Sequence, residues 1–282
     1  MGIGVPGAGD AVDHHIKIIE VVAAIREDAE RSAGECVMVV PYCGSSPSPG
    51  ELWGRFNLDP LLLLVLCLFG VLLFWMVRGR WERRFAALGW TIATAAFVSP
   101  LCALSVSLFS ARIAQHMILL LVAAPLIALA LPRATHRNGS WPLWASAGVF
   151  FLALWFWHMP DPYDATFSST FVYWFMHVTL FGSGILLWRE LLHHRPKRAV
   201  EVFAVGAITC MQMGFLGAIL TLAGRPLFSW HFTTTAVWGL SPLQDQQLGG
   251  TLMWVPGLLL FLWVGVWSLE RLWSALEAER AI

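Results

Sequence analysis

From Asp59 onward the chain alternates between apolar stretches of about twenty residues and short polar turns, a length that crosses a hydrocarbon layer at about 1.5 Å per residue. No other feature restricts the fold as strongly, because backbone polar groups in lipid must find their partners within the segment itself. The stretches fall at 60–78, 85–105, 111–131, 142–158, 170–189, 199–222 and 249–269, which predicts seven spans. The second and third are separated least clearly, since Pro100 to Ser110 reads either as a bent helix end or as a tight outer turn. Pro125 and Pro256 fall inside spans and predict bends there. Composition agrees: 57% of residues are hydrophobic and 13% charged, with a mean hydropathy of +0.66, far from a soluble mixture. The expected fold is all-α, a polytopic integral membrane bundle. A net charge of zero and the lack of a long basic run speak against nucleic acid as a partner.

Lys and Arg in short loops orient such a bundle. One set of loops holds Arg78, Arg80, Arg83 and Arg84, then Arg133 and Arg137, then Arg189, Arg195, Lys197 and Arg198, with Arg271 and Arg280 in the tail. That face is expected to be cytoplasmic. The other face has Arg55, Arg112 and Arg225 beside Glu51, Asp59, Asp161, Asp164 and Asp245. Seven spans then put the N-terminus outside and the C-terminus inside. The expected divisions are an amphipathic extension over 1–40, an outer loop over 41–59, the membrane domain over 60–270 and a tail over 271–282. Val12 to Arg31 has apolar residues at helical spacing, but Asp10, Asp13, Glu20, Glu27, Asp28 and Glu30 interrupt any signal-peptide core. Two readings stand for it: a dispensable extension, or true initiation nearer Met38.

Polar residues inside spans mark the functional candidates. His116 lies about 7 Å below the outer surface and His177 about 10 Å, counted at the helical rise, while His158 ends the fourth stretch as it emerges. Three imidazoles on three helices therefore gather in the outer third. Deeper or at similar depth, Cys210 and Met213 share a face of the sixth stretch, and Gln246, Gly250 and Met253 share a stripe of the seventh. Imidazole with thiol and thioether favours copper, Cu(I) above all. The alternative is that each histidine bonds across a helix interface as polar glue, and that each sulfur fills space.

The outer loops add Asp161 and Asp164 after His158, and Asp245 before the last stretch, where capping of a helix start is the expected role. His231, among aromatic residues, reads as an interfacial anchor. Gly182, Gly184, Gly214 and Gly217 read as close-packing positions. Of the five cysteines, Cys36, Cys43 and Cys102 face the expected oxidising side. Cys43 is open to two readings, a tether to Cys102 or a first ligand for copper at the mouth. No CxxC, GxSxG, HExxH, P-loop or dinucleotide fingerprint is present, so a non-enzymatic role is expected.

Ala111-Arg112-Ile113-Ala114-Gln115-His116-Met117 with the apolar run to Pro125 resembles the third-helix motif of the multi-spanning CtaG family of cytochrome c oxidase assembly factors. Ser99 to Ser105, Tyr42-Cys43-Gly44, Asn57 to Pro60, Trp157-His158, Tyr163-Asp164, Ala223 to Leu227 and Leu240 to Gly257 are similar to it as well. The resemblance runs over roughly residues 41–270. It implies assembly of a haem-copper oxidase of the caa type in a bacterial inner membrane. The implied work is holding or delivering copper to apo-oxidase subunits, supplied by a periplasmic copper donor. A single-span copper chaperone sharing the name is unrelated. The candidate ligands remain His116, His158, His177, Cys210, Met213 and Met253, as read from depth. Two other classes stay open: a b-type haem with His116 and His177 as axial ligands, and a metal-free scaffold for oxidase subunits.

Overall fold

The computed structural model describes residues 40–132, 141–194 and 196–280, all of them in helices, turns and loops. The amphipathic helix expected over Val12 to Arg31 lies outside the described residues.

Helix α1 (Pro60–Met76) starts where the Asp59 carboxylate accepts the Leu61 amide, with Pro60 in the first turn. Helix α2 (Arg80–Val98) stops before Pro100, because a residue preceding proline is driven out of the helical region. Helix α3 (Pro100–Ser107) then restarts at a bend of 51°. The bent-helix reading of Pro100 to Ser110 is therefore the correct one, with a second break at Leu108, which is extended. Helix α4 (Phe109–Met117) runs through a π-helical segment (Ile118–Ala123) into α5 (Ala124–Ala130).

Helix α6 (Trp141–Trp157) turns by 74° at His158 into the short α7 (Pro160–Ser168). Helices α8 (Thr170–Leu192), α9 (Ala199–Leu222) and α10 (Pro242–Arg280) follow. The last is unbroken at Pro256 and continues past residue 270, so the expected tail is the end of that helix as far as Arg280.

Among the described residues four helical segments are long and apolar enough to cross a membrane, or six if each bent pair counts as one span. Helix α1, at 17 residues, is shorter. The Phe109–Ala130 segment is the central one: 67% of its most apolar window is buried, against 39%, 44% and 33% for Thr170–Leu192, Pro196–Leu222 and Pro242–Arg280. Helices α2, α8 and α10 pack around it, α9 runs along α10, and α6 packs on α8. Helix α1 lies at the edge against α2, where the Trp90 indole donates to the Leu66 carbonyl at 3.1 Å.

Most large apolar side chains of α1 face outward, among them Leu61, Leu64, Leu68, Phe69, Val71 and Trp75. That face has no use in water and a ready one in lipid. The chain is a transmembrane protein.

Candidate functional site

The central helix is held at both ends by groups from its neighbours. At its start, the Asp245 carboxylate of α10 accepts the Phe109 amide at 2.6 Å, the Ser110 amide at 3.1 Å and the Ser110 hydroxyl. Asp245 is thus a cap, but of α4 rather than of its own helix. Below Met117 the Ala124 amide bonds the Leu119 carbonyl five residues back. Pro125 has no amide hydrogen, so in that register the Leu120 carbonyl would go without a donor. The Trp188 indole supplies one at 2.7 Å. Gly184 makes this contact possible, since a Cβ there would meet Leu120 Cδ2 at 2.7 Å.

Between these two anchors lie the histidines. The ring of His116 is 5.3 Å from that of His177 and 5.9 Å from that of His158, both edge to face. All three are buried. His158 Nδ1 donates to the Leu154 carbonyl at 2.6 Å, and His177 Nδ1 donates to the Tyr173 carbonyl at 2.9 Å. Each bond places the ring proton on Nδ1 and leaves the Nε2 lone pair available. Those two Nε2 atoms and both nitrogens of His116 have no hydrogen-bond partner among the described residues. The gap beside His116 and His177, walled by Leu119, Leu120, Leu180 and Phe181, is too narrow to admit a water molecule.

A family comparison bears on this centre. The family model described as cytochrome c oxidase caa3 assembly factor matches residues 71–275. The chain belongs to that family. The match takes in all three histidines and leaves the outer loop at 41–59 outside it. No curated protein and no solved structure matches the chain.

In this family member the histidines are accompanied by a buried cation to which the sequence alone assigned no role at the site. Arg112, one helical turn above His116, is buried, with its guanidinium over Phe167 at 4.1 Å, Tyr163 at 5.4 Å and Tyr173 at 5.7 Å. Its Nη1 donates to the Thr166 hydroxyl at 2.6 Å, while Nε has no partner among the described residues. Aromatic faces take the place of a carboxylate around this cation. The clue in the sequence was the i, i+4 spacing of Arg112 and His116.

His231 corrects another expectation. It is buried rather than interfacial, and both its nitrogens are used: Nε2 accepts from the Tyr163 hydroxyl at 2.8 Å and Nδ1 faces the Ser107 carbonyl at 3.2 Å. Burial holds its pKa down at about 3. It pins the loop between α9 and α10 over Phe109, Tyr163 and Phe167.

Two of the sulfur candidates are placed by contacts between α9 and α10. Met213 and Cys210 lie in the seam between α9 and α10, where a Cβ at Gly257 would come 2.9 Å from Met213 Cε, and the Cys210 thiol is 3.9 Å from the Leu258 carbonyl. Met253 is in the apolar core. No sulfur hydrogen bond joins any of the three to the imidazoles among the described residues.

The space over Gly250 is filled by α9, since a Cβ there would meet the Gly217 carbonyl at 2.7 Å. Gln246 is consumed by Leu227 and Leu220 backbone bonds. Gly214 and Gly217 are close-packing positions, as read; Gly182 meets nothing within 4 Å.

Cys43 and Cys102 form a disulfide, which settles Cys43 in favour of the tether in this state. The rings of His116 and His177 are in direct edge-to-face contact. Among the described residues no group of three or more His, Cys, Asp or Glu is arranged to hold a metal ion. A metal at the three imidazoles therefore calls for a turn of His116, whose ring alone has no bond holding it.

Proposed function

We propose that the chain crosses a bacterial inner membrane seven times with its N-terminus outside, and holds Cu(I) near the outer face for an apo-oxidase subunit. The observation that carries the reading is the set of orphaned imidazole nitrogens. His231 is as buried as the other three yet fully bonded, whereas His116 is in ring contact with both His158 and His177 and all three keep lone pairs free. A buried lone pair without a partner costs about 1–3 kcal/mol, and a soft cation is a natural use for several of them.

The arrangement suits capture and release. His158 and His177 are fixed by their Nδ1 bonds, as histidines that ligate metal are. His116 is the ligand that swings. Two or three neutral donors suffice for Cu(I), and the Arg112 guanidinium one turn away opposes Cu(II) about twice as strongly, because Coulomb repulsion scales with charge. Copper supplied by a periplasmic donor would pass on by ligand exchange, with no change of oxidation state. Cys210, Met213 and Met253 then serve as packing or as a later resting place. The orientation rests on the Lys and Arg asymmetry of the loops.

A metal-free scaffold is the second reading, favoured by the lack of a preformed three-ligand arrangement among the described residues. Cu(I) and haem content of the detergent-purified protein with the Cys43–Cys102 disulfide intact separates the two. Near-stoichiometric copper lost in His116→Ala/His177→Ala, with no Soret band, supports the copper reading. Folded protein that takes up no copper when supplied with it leaves the scaffold.

A further inference from the structure

We infer that Cys43 and Cys102 are a reducible pair which, as two thiols, takes Cu(I) at the outer mouth ahead of the histidine cluster. This rests on the copper reading above. The position argues for it first. The Tyr173 hydroxyl lies 3.3 Å from Cys43 Sγ and 3.7 Å from Cys102 Sγ. The ring of the same tyrosine is 4.3 Å from that of His177, which is 5.3 Å from His116. One unbroken line of contacts therefore leads from the disulfide to the imidazoles.

The two sulfurs are unequal in the way thiol exchange requires. Cys43, in the outer loop, is partly exposed, and Cys102, in the first turn of α3, is fully buried. Cys102 Sγ is reached by the Asn57 amide at 3.6 Å as well as by Tyr173. An outer-face dithiol reductant can attack Cys43 Sγ. The S–S bond breaks and its electron pair leaves on Cys102 Sγ, where the Asn57 and Tyr173 donors stabilise the thiolate. The second thiol of the reductant then attacks the mixed disulfide and releases Cys43, so the reductant departs as its own disulfide with two electrons transferred. Cu(I) displaces the two thiol protons and keeps its oxidation state.

The loop does not depend on the disulfide for its place. Asn57 N donates to the Val98 carbonyl at 2.9 Å, the Ser46 and Ser107 hydroxyls bond at 2.6 Å, and the Ser107 hydroxyl also bonds the Pro47 carbonyl at 3.2 Å. The Tyr42 hydroxyl donates to Asp59 at 2.6 Å. After reduction these bonds keep two thiols on Cα atoms 5.4 Å apart facing each other, a spacing that lets both reach one ion.

The test counts Cu(I) retained against a competing chelator by the full chain in detergent, oxidised and dithiol-reduced, in wild type, Cys43→Ser/Cys102→Ser and His116→Ala/His177→Ala. Reduced wild type should keep one more Cu(I) per chain than oxidised. That extra ion should persist in the histidine variant and vanish in the cysteine variant. Equal counts in both redox states, with alkylation proving Cys43 and Cys102 free, overturn the proposal. So does a disulfide that resists dithiol until the protein unfolds.

The histidine reading is tested separately by the copper of the oxidised protein. Should the cysteine variant not fold, reduced wild type alkylated with iodoacetamide replaces it and should lose the same ion. Tyr173→Phe should slow reduction about tenfold while leaving the Cu(I) count of the reduced protein unchanged. An unchanged reduction rate removes the tyrosine from the mechanism and overturns the assigned route.

Discussion

Helices α1 and α4 are opposites within one bundle. Helix α1 is almost wholly Leu, Val and Phe, yet it buries only Leu62, Leu66, Gly70 and Leu73. Helix α4 carries Ser110, Arg112, Gln115 and His116, yet all of its residues but Ala114 are buried. In water this order would be reversed. In lipid the apolar helix has the solvent it wants outside, while each polar group of α4 must meet another part of the protein. A helix rich in polar groups therefore sits at the centre, and burial there is a sign of function as much as of stability.

The comparison predicts unequal costs of substitution. Arg112→Ala removes the Thr166 bond and three aromatic contacts and opens a cavity, so thermal unfolding in detergent should show a loss of about 3 kcal/mol. Arg112→Met, which keeps most of the volume, sharpens the result. Wild-type stability with altered copper retention would assign the cation to function alone.

Asp245→Ala deprives two amides and a hydroxyl of their acceptor at the head of α4 and should cost about 2 kcal/mol in the same assay. A cost near zero would mean that water reaches the helix start, and would weaken the picture of a dry centre.

A smaller effect is expected from pH through His231 in the outer loop. Its folded pKa of about 3 is below the ordinary 6.5, so folding favours the neutral ring. Its contribution is complete above about pH 6.5 and is lost as pH falls toward about 3, by up to about 1.4 kcal/mol per unit. Melting curves at pH 7 and 5.5 should separate in wild type, and His231→Phe should narrow the separation. The least effect belongs to α1: Leu68→Ala, at a position 59% exposed, should change stability by less than about 0.5 kcal/mol. A larger loss would show that another helix covers that face.

The grouping of His116, His158 and His177 was legible because depth along a span is a simple product of residue count and rise. Which of their nitrogens are free was not legible, since it depends on the Leu154 and Tyr173 carbonyls and on the lack of any partner for His116. Cys210 and Met213 share a helical face as read, but periodicity does not say which neighbour that face meets, and it meets α10. Arg112 was counted with the outer charges because the apolar stretch that holds it was read as beginning only one residue earlier, at 111. Its burial follows from the loop around His231 and helix α7 folding over that helix start. Asp245 was read as a cap from its position, and the helix that it caps lies 135 residues away in sequence.

By itself the sequence determined that the chain is helical and lives in lipid, and which family it resembles. These follow from local quantities: apolar run length and motif residues. Tertiary structure decided that the polar helix is the central one, that Trp188 completes the π-helical turn, that Cys43 pairs with Cys102, and that three imidazoles keep their lone pairs. Each of these is a contact between segments far apart in the chain, and such contacts are set by how the helices pack, which no local pattern encodes.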